Sequence, residues 1–324
     1  MSVARGTVPS QSSERGKRGQ NAFGYVGVVS LVSMWRSLMR ASGLSGATAR
    51  HGAEVGAREP VAGGTPAGRA AWLEQTLREY VETLGPEHAR SIAARNNLAS
   101  KYAETGRRKA AIEQFELALA DSLSALGEEH PQTDVIRENL AWCYDDTGRF
   151  EDAAVQWEAL LQQRQWRLGA TAADTVTARA RLAAAYRRTG LFDAAIAHYE
   201  RAIEDFTGLP PEQLEHLRIG SALAYRSAGR LDDAIQQFRM VLAQRQRRLG
   251  SRHHETLVIH HQLGRLYLRS GHTNEAVETL ARAYRTCLSA AGDHDVRVLT
   301  LKVRRDLAGA YRAAGRHREA AALH

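Results

Sequence analysis

The chain has 324 residues, 44% of them hydrophobic and 25% charged, with a formal net charge of +8 and only two cysteines. That length and apolar share suffice for a sizeable buried core, and two cysteines exclude a disulfide-knit secreted scaffold. The charge is segregated: residues 1–70 carry +6, residues 71–169 carry −6 and residues 170–324 carry +8, so the unbroken basic stripe expected of a nucleic-acid binder is missing.

Residues 1–69 are rich in Gly, Ser, Ala and Arg and read as a disordered or weakly structured basic leader. Within it, Ala22–Trp35 is an apolar run of 14 residues preceded by Arg15, Lys17 and Arg18. A membrane-spanning helix needs about 20 apolar residues, so no stable span is expected here. Arg36 and Arg40 follow the run at once and the nearest small-x-small site, Ala47–Ala49, is distant, which fits a cleaved export signal poorly. The expected location is the cytoplasm, where Cys143 and Cys287 stay reduced; export or anchoring through residues 22–35 is the minor alternative.

From residue 70 to 324 the chain repeats itself. Tyr-x-x-x-Gly recurs at Tyr102, Tyr144, Tyr186, Tyr225, Tyr267 and Tyr311, with intervals of 42, 42, 39, 42 and 44 residues between the glycines. Four residues before the tyrosine stands Leu in all units but the fourth, which has Ser221, and the next residue is always Ala or Gly. Nine residues after the glycine stands Phe115, Trp157, Tyr199, Phe238 or Leu280, and four residues before each of these stands Ala. Steps of three and four keep these positions on one helix face. The glycine supplies a left-handed turn between two antiparallel helices whose small residues permit close approach. Ala70–Gly85 aligns with the second helix of a repeat and is expected to cap the array, while the sixth unit, at Tyr311, is truncated. A hairpin of this kind cannot bury its apolar face alone, so the units must stack into an all-α solenoid. An end without a polar cap also leaves self-association open. In the fourth unit, Gly220, Ser221 and a shortened linker predict the weakest packing of the array.

This grammar resembles the tetratricopeptide repeat (TPR), and the long unit with linkers such as Leu126–Thr133 and Leu249–Thr256 is similar to its kinesin-light-chain-like class. The resemblance implies a right-handed α-solenoid of stacked antiparallel helix pairs, the TPR superhelix. It also implies that the chain is not an enzyme and that a peptide or protein segment binds in the concave groove lined by first helices. At the positions five and six residues before each tyrosine, the groove residues expected to matter are Asn96, Asn97, Glu138, Asn139, Arg181 and Gln262, joined further along by Arg188 and Arg265. Asparagine both donates to and accepts from a peptide backbone, and arginine grips carboxylates. Arg187, Arg226, Arg269 and Arg312 extend a basic lining through the later units. The set that would grip a terminal carboxylate in chaperone-binding members is incomplete, since Ala93, Val135 and Thr177 stand where lysine is needed.

Motif chemistry is otherwise absent: no phosphate-binding glycine loop, no Gly-x-Ser-x-Gly and no His-Glu-x-x-His. No catalytic residue, metal site or cofactor is expected. The linker histidines His88, His130, His253 and His294 are read as turn-fixing residues, and Asp145/Asp146 and Asp232/Asp233 as solvated pairs near helix ends. The alternative function is a regulatory module of a bacterial signalling or transcription-control system whose output domain lies on another chain.

Overall fold

The computed structural model describes residues 66–207, 210–290 and 294–323, so the apolar run 22–35 and nearly all of the leader lie outside the described residues. Thirteen helices follow one another among the described residues: α1 (Pro66–Leu84), α2 (Ala89–Glu104), α3 (Arg108–Ala125), α4 (Pro131–Thr147), α5 (Phe150–Leu168), α6 (Ala173–Thr189) and α7 (Phe192–Glu204). Then come α8 (Pro211–Ser227), α9 (Leu231–Leu249), α10 (His254–Arg269), α11 (Thr273–Ser289), α12 (His294–Ala313) and α13 (His317–Ala321). No strand occurs among them. Each helix packs on the next, giving an all-α solenoid of antiparallel hairpins.

The tyrosine-to-glycine spacing has a backbone cause. At Gly106, Gly148, Gly190, Gly229 and Gly315 the chain enters the left-handed region. The next residue's N–H then donates to the tyrosine carbonyl: Arg107 to Tyr102 at 2.8 Å, Arg149 to Tyr144 at 2.9 Å, Leu191 to Tyr186 at 2.9 Å, Arg230 to Tyr225 at 2.9 Å and Arg316 to Tyr311 at 2.8 Å. This is the six-to-one bond of a Schellman cap, which satisfies a carbonyl that the helix end would orphan. The linker histidines His88, His130 and His253 cap the following first helices, each ring Nδ1 accepting from the backbone N–H two residues on, at 3.1, 3.1 and 3.3 Å.

Packing follows the repeat. Ala99, Ala141, Ala183 and Ala222 are fully buried, as are the alanines one turn before each large residue of the second helix. In the fifth hairpin the small residue is Gly264, and a Cβ there would lie 2.5 Å from Leu280 Cγ, so glycine is required for leucine to fill that slot. Gly220 is filled differently from the loose junction that its small size suggests. The Tyr199 ring occupies the space a Cβ would take, and both Tyr199 and Ser221 are buried. The two cysteines are buried thiols. The core runs as three apolar clusters along the array, within residues 70–185, 176–266 and 257–310.

Candidate functional site

Neighbouring first helices touch directly, α2 with α4, α6 with α8 and α10 with α12, and no pair of successive second helices makes a comparable contact among the described residues. Rows of helices spaced more tightly on one side curve towards that side, so the first helices line the inner face. The positions five and six residues before the repeat tyrosine meet across unit boundaries on this face. Asn139 Nδ2 donates to Asn96 Oδ1 at 3.0 Å, and His261 Nε2 pairs with Asp306 Oδ2 at 2.7 Å in the equivalent place.

The other expected groove residues have different surroundings. Asn97 and Gln262 are half-buried, and their side-chain amides make no hydrogen bond to another described residue. The Arg181 guanidinium lies 3.7 Å from the centre of the Trp142 ring, and Arg188 lies 4.7 Å from that of Phe150. Arg265 is exposed and sits 3.5 Å from Asp306. Glu138 is drawn into a structural network: Arg164, itself buried, donates to its Oε2 at 2.6 Å and to Asp134 Oδ2 at 2.9 Å. Asp145 departs from the solvated place expected of it. Trp157 Nε1 donates to its Oδ2 at 3.0 Å, and burial raises its pKa above the usual carboxylate value although Arg181 and Arg188 pull the other way.

Four buried arginines have carboxylates to hold them: Arg137 with Glu128 at 3.2 Å, Arg164 as above, Arg179 with Asp205, and Arg245 with Glu215 at 3.0 Å. Arg187 and Arg226, each the residue after a repeat tyrosine on α6 and α8, are half-buried and differ. No carboxylate lies within ion-pair distance of Arg187, Arg226 or Arg269 among the described residues, and Arg187 Nε is buried without a partner. Burial lowers the Arg187 pKa, with Arg188 acting in the same direction. Burial, then the charges of Arg187, Arg269 and Arg265, pulls Arg226 down to about 10.

A repeated polar contact escaped the motif reading. The Tyr102 hydroxyl donates to Glu74 and the Tyr144 hydroxyl to Glu116, both at 2.6 Å, and the Tyr225 hydroxyl donates to Glu200. Each glutamate belongs to the second helix of the preceding unit, and the arginine after the turn glycine, Arg107, Arg149 or Arg230, lies over the tyrosine ring. Its signal is visible in the sequence as Glu74, Glu116, Glu158 and Glu200, spaced at 42 residues.

Among the described residues no cluster of side chains suits a metal ion, and no helix is long and apolar enough to cross a membrane. Two family models described as tetratricopeptide repeat match the sequence, one at residues 213–289 and the other at residues 91–132 and 175–206. Among solved structures, the nearly identical TPR-like repeats of a Podosopora anserina protein named for kinesin light chain are 24% identical, cover 68% of this chain and 99% of their own, and give a TM-score of 0.54. BtubC (BKLC) from P. vanneervenii is 22% identical, with 72% of this chain and 94% of that one covered and a TM-score of 0.55. No curated protein matches the sequence.

Proposed function

Since the chain is a tetratricopeptide-repeat array with kinesin-light-chain-like structural neighbours, we propose that it is a non-enzymatic scaffold that holds a peptide or protein segment against the inner face of its first helices. The observation that carries this reading is the state of the inner-face amides. The side-chain amides of Asn97 and Gln262 have no hydrogen bond to another described residue, and Asn139 uses its Nδ2 on Asn96, keeping Oδ1 as an acceptor. Amides in that position can pair with an extended backbone whatever its sequence. The cytoplasm suits this role, since both buried thiols persist there.

The test is selection of peptides from a displayed random library on the full-length protein, followed by an Asn97→Ala/Asn139→Ala/Arg181→Ala variant. The expected result is recovery of binders that the variant no longer retains while its helical signal is unchanged. Retention of every binder by the variant would move the binding surface away from this face. Self-association is a second reading, favoured by Val298 and Leu301, which are 43% and 60% exposed one turn apart on α12. Sedimentation over a concentration series should show a dimer that Val298→Ser/Leu301→Ser abolishes.

A further inference from the structure

We propose that the gap between α9 and α11, over α10, is a binding site for a small organic monocarboxylate. It lies between second helices, so it is independent of the inner-face reading above.

The repeat itself shows what is unusual at this junction. One residue after the large apolar position of each second helix stand Glu74, Glu116, Glu158 and Glu200, and the next member of that series is Arg239. Tyr102, Tyr144 and Tyr225 donate their hydroxyls to the glutamate of the preceding unit, whereas the Tyr267 hydroxyl makes no hydrogen bond to another described residue. A second exchange accompanies the first. Seven residues before the repeat tyrosine the other units carry Arg95, Arg137, Arg179, Arg218 and Arg304, and this unit carries His260. Such an arginine reaches the second helix of its own hairpin, as Arg95 does at Asp121, 3.4 Å away, and Arg218 at Gln237, 3.1 Å away. The shorter His260 reaches nothing: it is 5% exposed, and its Nδ1 is buried without a partner.

Both exchanges open onto one cavity. Successive second helices do not touch as first helices do, and between α9 and α11 a space of about 320 Å³ is lined by Arg239, His260 and Tyr267 together with the apolar Leu242 and Leu263. Pockets for compact organic ligands begin at roughly 300 Å³. Arg239 has no carboxylate within ion-pair distance among the described residues. A carboxylate placed here supplies what the array supplies for itself at the three bonded junctions, an acceptor for the tyrosine hydroxyl, and it pairs with Arg239 as well. Burial and then the charge of Arg282 hold the His260 pKa below the usual histidine value, so at neutral pH the ring keeps one N–H to donate. Leu242 and Leu263 receive the apolar body of the ligand. The acids in the same wall limit it to one charge. Glu278 is held by Arg282 at 2.8 Å, but Glu275 is uncommitted among the described residues and repels a second anionic group.

The experiment is calorimetric titration of naphthoate, naphthamide and naphthalene dicarboxylate into the full-length protein. Naphthoate should bind with a Kd of about 1 mM or tighter. Naphthamide, which keeps the shape without the charge, and the dicarboxylate should each bind at least about tenfold more weakly. Arg239→Glu restores the glutamate of the other junctions, and it should abolish naphthoate binding with no fall in Tm. His260→Arg fills the cavity with the side chain that the other units place there and should do the same. Arg252→Gln, which removes one charge from an exposed linker, should leave the affinity within about twofold. Absence of naphthoate binding, equal affinity for naphthamide, or undiminished binding by Arg239→Glu would each overturn the proposal. Library-selected binders of the inner face should be retained by Arg239→Glu, so failure of one site is distinguishable from failure of the other.

Discussion

Arg164 and Arg187 stand 23 residues apart in the chain, in the second and third units, the first buried and the second half-buried. Arg164 meets Asp134 and Glu138, spans to the backbone of the next first helix at Asp174, and so clamps two units together. Arg187 meets no acid among the described residues. The same residue type thus stands in two settings, separated by whether the chain itself provides the counter-charge. Arg179 and Arg245 in the later units are held by Asp205 and Glu215 as Arg164 is held in the second, so the excess of +8 over residues 170–324 rests on other arginines, Arg187 and Arg226 among them.

The contrast breaks most visibly at the clamped arginines. Arg245 and Glu215 are each 1% exposed at the side chain. Arg245→Ala leaves the buried Glu215 carboxylate with Arg248 alone, at 3.1 Å, and should cost up to about 3–5 kcal/mol, read from urea unfolding. A double Arg245→Met/Glu215→Leu exchange should recover most of that loss, since an apolar pair of similar volume removes both charges. Gly264→Ala, which sets a Cβ 2.5 Å from Leu280 Cγ, should cost about 1–3 kcal/mol by the same measurement. Arg187→Gln/Arg226→Gln removes two half-buried cations that have no carboxylate within ion-pair distance among the described residues, and should instead raise Tm.

Acid provides a finer probe of the clamped region. Burial, aided by Arg245, holds His216 down at about 4. The unfolded chain protonates near pH 6.5 while the folded one stays neutral, so this histidine's contribution is intact above pH 6.5 and declines as pH falls towards 4. The urea midpoint of the wild type should fall more steeply across that window than that of His216→Gln. The smallest effect is expected at the surface. Arg107 lies 3.9 Å from the centre of the Tyr102 ring and 3.6 Å from Glu74, half exposed, and Arg107→Ala should cost less than about 1 kcal/mol.

The fold was legible because backbone necessity wrote it. Tyr-x-x-x-Gly marks a helix end whose cap bond runs from the residue after glycine to the tyrosine carbonyl, and that geometry admits little substitution. The inner face was legible only as a set of positions. Residues five and six before the tyrosine meet across units at two boundaries, in Asn96–Asn139 and His261–Asp306. That Glu138 would instead be held by Arg164 depends on a residue 26 positions later, at the far end of the partner helix, where the repeat grammar is silent. Asp145 misled for a similar reason: its place near a helix end suggested water, and the Trp157 indole that covers it comes from the next helix.

The tyrosine-to-glutamate bond has one further consequence. It joins α1 to the first unit, the first unit to the second, and the third to the fourth, but Tyr186 donates to no glutamate among the described residues and packs on His198 instead. In a linear array, cooperativity is set by nearest-neighbour coupling. Between the second and third units Arg164 and Arg179 take over this role, reaching the Asp174 carbonyl and Gln165, and between the fourth and fifth Arg245 reaches the Glu255 carbonyl. Tyr311 donates to no glutamate and no such arginine joins α11 to α12 among the described residues, so in native-state hydrogen exchange the amides of α12 and α13 should open first as one block.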